Sequence, residues 1–153
     1  MSAPPFELST AHRWFAIECN NHAWDLVETT NRTQGQLADM LHSAHAARFH
    51  WQRAGNALNA FRAETLLSIA YSTAGRGEPA LYHARETLSL MTTIDDLTPF
   101  DRTTAEAAAA RACELAGKAN QAKVHWASAD DALAQCADAE DRDALRKLFP
   151  ELQ

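Results

Sequence analysis

The stretch AETLLSIAYSTAGRGEPALYHA, which begins at Ala63, returns in altered form as AEAAAARACELAGKANQAKVHW from Ala105, an offset of 42 residues. In that one register Ala63, Glu64, Ala70, Ala74, Gly75, Ala80 and His83 recur as Ala105, Glu106, Ala112, Ala116, Gly117, Ala122 and His125. A helical unit that recurs in this way cannot bury its apolar face alone. It restricts the chain to hairpins that stack on one another. Gly75 and Gly117 each follow helix-favouring text and precede Arg76 or Lys118, the pattern of a helix end capped in the left-handed conformation. A phosphate-cradling loop would need a preceding strand and a GK[ST] ending, and neither is present.

The rest of the chain supports the same class. Five glycines and five prolines punctuate 153 residues, alanine is abundant, and no run of β-branched residues alternates as a strand would. The expected fold is all-α, with about seven antiparallel helices near residues 9–29, 34–54, 57–74, 78–91, 100–116, 119–136 and 139–148, stacked as hairpins in a right-handed superhelical array. A hydrophobic fraction of 46% suits one core and a single domain. Within it, residues 1–56 read as N-terminal capping helices, 57–136 as two hairpins and 137–153 as a C-terminal cap helix. The segment MTTIDDLTPFDR is the longest internal loop, and Asp101 is placed to cap the helix after it.

Charge and cysteine content exclude several classes. A net charge of −6 with no lysine and arginine run leaves no electrostatic footprint for nucleic acid. The opening MSAPPFELSTAHRWF lacks a basic region followed by an apolar run, and no segment approaches membrane-spanning length. The expectation is a cytoplasmic protein that contacts neither membrane nor nucleic acid. Cys19, Cys113 and Cys136 are odd in number and widely spaced, which fits reduced, mostly buried thiols rather than a disulfide framework or a zinc knuckle.

The repeated unit resembles the tetratricopeptide repeat over about residues 57–133. Small residues would stand where helices cross, Ser68, Ala80 and Thr87 in one unit and Ala110, Ala122 and Ala129 in the next, with Tyr71 and Trp126 supplying bulk. The period is longer than the usual repeat, and the closing proline is missing. HSAHAARFHWQRAGNALNAFRAE followed by AGRGEPALYHAR is also similar to a family of small bacterial all-helical repeat proteins, a likeness that brings no activity with it. What the resemblance implies is a concave groove lined by the first helix of each pair: Arg62, Thr65, Ile69 and Ser72, then Thr104, Ala107, Arg111 and Glu114.

Two functional classes follow. The first is a non-catalytic binding module, in which Arg62 and Arg111 hold a carboxylate or acidic residue of a protein or peptide beside an apolar anchor on Leu66 and Ile69. The alternative is a small-molecule-binding, metal-binding or enzymatic pocket built from His42, His45, Glu64 and His83. No cofactor or metal is expected. His42 and His45 lie roughly 60° apart on a helix, whereas His45 and His50 are separated by about 140°, so Asp39 and these three cannot all face one ion. A second, weaker apolar face of Ala38, His42, His45 and Phe49 marks this helix as interior, its histidines satisfied by hydrogen bonds. Glu64 falls among Ala57, Ala60, Phe61, Leu67 and Tyr71, so it should be buried and paired with an arginine such as Arg48, Arg53 or Arg85. No nucleophile motif is present. Trp14, Trp24, Trp51 and Trp126 read as core anchors, and the acidic ADDALAQCADAEDRD as solvated surface ahead of an inward-facing Leu145, Leu148 and Phe149.

Overall fold

The computed structural model describes residues 6–153. The opening residues 1–5, part of the stretch read for a leader, lie outside them. Among the described residues there are seven helices and no strand: α1 (Leu8–Glu28), α2 (Gln34–Ala54), α3 (Ala57–Thr73), α4 (Gly77–Met91), α5 (Pro99–Leu115), α6 (Ala119–Leu133) and α7 (Ala139–Leu148). No described helix is long and apolar enough to cross a membrane.

Local chemistry explains the helix ends. α2, α3 and α5 each open with a capping box, formed by Thr33 with Gln36, Asn56 with Asn59, and Thr98 with Asp101. Thr98, not Asp101, is therefore the cap of α5. Pro99 takes the first helical position, where its missing N–H costs nothing, and this sets Asp101 three residues inside the cap. α3 and α5 end alike, on Gly75 and Gly117 with φ of +69° and +72°. The N–H of Arg76 reaches the carbonyl of Tyr71 at 2.9 Å, and that of Lys118 reaches Cys113 at 2.8 Å, which closes the last turn of each helix.

Packing then follows chain order. α1 packs on α2, α3 on α4, and α5 on α6, while α4 joins α5 and α2 joins α3. α3 also touches α1 and α5, and α7 lies on α5. The main core cluster draws on α1, α2, α3, α5 and α6, and is completed by Cys136, Leu145, Phe149 and Leu152. α5 is the most deeply buried element. Its alanines from Ala105 to Ala112 line several sides at once, which lets neighbouring helices approach closely.

Two expectations about the outer helices are corrected. Trp14 is 56% exposed rather than a core anchor, because α1 has its main neighbours only in α2 and α3. Trp24, Trp51 and Trp126 are partly buried. α2 is not interior either: Ala38, His42, His45 and Phe49 are exposed, since α1 and α3 cover the opposite stripe of Met40, Leu41, Ala44 and Ala47. Of the cysteines, Cys113 and Cys136 are buried and Cys19 is half-buried.

The start of α4 comes close to the end of α5. A Cβ on Gly77 would lie 2.7 Å from the backbone carbonyl carbon and oxygen of Leu115. Alanine is the better helix former by ~1 kcal/mol, but a clash with backbone cannot be relieved by a side-chain rotation. Gly77→Ala should therefore lower stability by about 1–3 kcal/mol in chemical denaturation. A variant as stable as the parent would contradict this approach of α4 to α5.

Candidate functional site

Four segments surround one large cleft. The C-terminal end of α1, one face each of α3 and α5, and α7 with Pro150 enclose a volume of about 1100 Å³. This is at the upper end of the roughly 300–1,000 Å³ usual for small-ligand sites, and large enough for several residues of extended chain. Trp24, Val27, Phe61, Phe100 and Leu148 supply apolar walls. Four cationic side chains, Arg32, Arg62, Arg111 and Lys147, face it against two carboxylates, Glu28 and Asp101. Counting Glu151, which Arg111 holds, four cations meet three carboxylates here, an excess of one positive charge on a chain whose net charge is −6.

Each cation is held differently. Arg32 is committed to the end of α1, where it donates to the carbonyls of Leu26 and Val27. Arg62 grips Asp101 in a fork, Nε to Oδ1 at 2.8 Å and Nη2 to Oδ2 at 3.0 Å. Asp101 is only 5% exposed. Burial alone would raise its carboxyl, but hydrogen bonds from Arg62 and Thr98 outweigh burial and hold it below the ordinary aspartate range. Arg111 makes a second fork with Glu151, at 3.0 and 2.8 Å. Lys147 reaches Glu28 of α1 at 3.4 Å across the mouth, with both side chains well exposed.

Of the residues expected in a groove, Arg62, Thr65, Thr104 and Arg111 line this cleft. The Thr65 and Thr104 hydroxyls turn inward to the carbonyls of Phe61 and Phe100, leaving their methyl groups as lining. Ile69, Ser72, Ala107 and Glu114 do not take part. Ile69 and Ala107 are buried in the cluster that takes in Leu145, Phe149 and Leu152, so the end of the trough is filled by the chain itself. The Ser72 hydroxyl is buried without a partner, and Glu114 accepts from the Trp126 indole at 2.8 Å. The contributions of α1 and α7 were not legible in the sequence, because neither helix carries the repeat register.

The histidine and glutamate cluster lies elsewhere, where α2, α3 and α4 meet. Glu64 is 6% exposed and bridges two donors: Arg48 Nε donates to Oε1 at 2.5 Å, and His83 Nδ1–H donates to Oε2 at 2.7 Å. Burial alone would raise the Glu64 carboxyl, yet these two donors bring it below the ordinary glutamate range. Arg48 is thus the arginine that satisfies Glu64. Tyr71 stacks on His83, with rings 7° from parallel, and its hydroxyl meets His45 Nε2 at 2.8 Å. Burial and the neighbouring His83 push His45 below the ordinary histidine value. His42 is exposed and, among the described residues, takes no part in these hydrogen bonds. The large cleft does not reach these side chains.

The second unit acts as an internal control. His125 Nδ1 meets Glu106 Oε2 at 2.7 Å, the same contact at the same chain separation as His83 with Glu64. A contact kept in both copies joins the two helices of a hairpin, which is structural work. Another contact absent from the sequence reading links α1 to α2: His12 Nδ1 and His50 Nδ1 lie 2.7 Å apart, one donating and one accepting. Among the described residues, no group of three or more histidine, cysteine, aspartate and glutamate side chains is placed to hold a metal ion. Compared with protein-family models, curated proteins and solved structures, the chain matches none, so the functional reading rests on the site itself.

The Glu64 bridge has a measurable consequence. Because its carboxyl lies below the ordinary value in the folded chain, it contributes stability at neutral pH that is lost as the pH falls through and below the ordinary glutamate range. Glu64→Ala should cost about 2–4 kcal/mol at pH 7, less than a fully buried pair because Arg48 is partly exposed. Near pH 3 the gap between variant and parent should shrink. Thermal melts across pH check this, and a pH-independent gap would contradict the ion-pair account.

Proposed function

We propose that the protein is a non-catalytic binding module of the tetratricopeptide type, in which paired antiparallel helices stack in a right-handed array and the first helix of each pair lines a concave surface. The neighbour pattern supports this reading, since α1 with α2, α3 with α4 and α5 with α6 are the closest pairs. The single observation that carries it is the cleft, which takes its lining from α1, α3, α5 and α7 and not from the alternate helices. On this view α1 and α2 form a third hairpin, and α7 begins a fourth that ends as a cap.

The partner is a protein or peptide segment that carries a carboxylate or acidic residue beside an apolar anchor. Charge complementarity favours it, since an acidic chain gathers cations in this one apolar trough. Among the described residues, the Nη1 groups of Arg62 and Arg111 make no hydrogen bond, which leaves a donor on each. Three unpaired cysteines suit a reducing, cytoplasmic setting. The His45, Glu64 and His83 cluster serves catalysis less well. Its polar groups satisfy one another, and the cleft lies elsewhere.

Selection of random peptides on the immobilised full chain tests the proposal. Selected peptides should carry Asp, Glu or a free carboxylate within a few residues of Leu, Ile or Phe, and should bind less tightly as salt rises. Arg111→Gln combined with Lys147→Gln should weaken them about tenfold, the effect of losing roughly 1.4 kcal/mol of partly exposed charge contacts. Lys147 is exposed and Arg111, though half-buried, is paired only with the partly exposed Glu151, whereas a change at Arg62 would orphan buried Asp101. Peptides without acidic residues, or affinities that ignore the double variant, would refute the groove.

A further inference from the structure

The two arginine forks of the cleft differ in a way that bears on regulation, an inference that rests on the peptide-binding reading. Arg62 holds an aspartate that is buried and also bonded by the Thr98 hydroxyl, so that pair is part of the fold. Arg111 holds Glu151, whose side chain is 42% exposed and belongs to the segment that follows α7. On either side of Glu151 the chain is anchored. Phe149 is fully buried with the Arg111 guanidinium 4.5 Å above its ring, Pro150 lines the cleft, and Leu152 is buried in the core. Residues 149–152 therefore offer Arg111 an acid flanked by apolar side chains, the chemistry argued above for the partner.

We propose that Glu151 is a built-in competitor, and that an acidic segment entering the cleft takes Arg111 by displacing the Glu151 carboxylate while Phe149 and Leu152 stay seated. Partly exposed ion pairs are weak, so releasing this carboxylate into water is inexpensive, whereas unseating Phe149 would open the core. The exchange needs only a side-chain rotation at Glu151. A resident carboxylate lowers the fraction of molecules ready to bind and so raises the apparent Kd for every acidic ligand. It also favours partners that add an apolar anchor, since a lone carboxylate gains little over the one it replaces.

The probe is a fluorescein-labelled peptide that copies residues 148–153, Leu-Phe-Pro-Glu-Leu-Gln, with its Glu→Gln version as control. Fluorescence polarisation follows its binding to the full chain as wild type, Glu151→Gln, Arg111→Gln and the double variant. Glu151→Gln should bind the acidic peptide about fivefold more tightly than wild type, and Arg111→Gln should abolish that gain in either background. Exchange of the Arg111 Nε proton, read by NMR without any peptide, should become faster in Glu151→Gln. Equal binding by wild type and Glu151→Gln, with both lost on Arg111→Gln, overturns the competitor and leaves the binding reading standing. Failure of every variant to bind at millimolar peptide overturns both.

Discussion

Close packing around the alanine face of α5 is the constraint on which the remaining structure depends. Ala105, Ala107, Ala108, Ala109, Ala110 and Ala112 are each no more than 1% exposed, and α3, α4, α6 and α7 all lie against this helix. A bulkier side chain at these places would hold the helices apart, and the contacts between their polar groups would lengthen. Three polar ties leave α5: Asp101 to Arg62 of α3, Glu106 to His125 of α6, and Arg111 to Glu151 beyond α7. Apolar packing supplies the cohesion, and the ties fix rotation and register, which non-directional burial leaves loose.

The repeat separates what is structural from what is particular to one unit. Glu64 with His83 and Glu106 with His125 are the same contact made twice. Around the first, Arg48, His45 and Tyr71 add a second donor and an aromatic cover; shifted by 42 residues, those positions hold Leu90, Thr87 and Cys113. The first tie therefore fastens α2 as well as α4 to α3, while the second joins only α5 and α6. That extra fastening falls where α2 is otherwise exposed to solvent.

How much was legible in the sequence depends on the range of the interaction. Helix number and spans follow from local signals, such as the left-handed glycines at Gly75 and Gly117 and the breaks at Asn56 and Pro99, and the structure reproduces them within about two residues except at α6, which ends near residue 133 rather than 136. The burial of Glu64 and its need for an arginine were likewise readable from the helical wheel. Arg62 and Thr65 line the cleft from one face of α3, and Thr104 and Arg111 from one face of α5, a helical spacing that the sequence displays. Long-range closure was not readable. Nothing local says that Phe149 and Leu152 cover Ile69 and Ala107, that Lys147 meets Glu28, or that Arg111 is already engaged by Glu151. The assignment of Asp101 as a cap failed because Thr98 and Pro99 together offered a better one.

The proposed binding site lies where four segments converge, with one of its arginines locked into the fold and another shared with Glu151. The most direct measurement is NMR shift mapping of a selected acidic peptide on the isotopically labelled full chain. The account predicts that perturbed signals trace Trp24, Arg62, Thr65, Thr104 and Arg111, the two sides of one trough. Perturbations centred instead on His45, Tyr71 and His83, with the trough unmoved, would contradict it and move function to the junction of α2, α3 and α4.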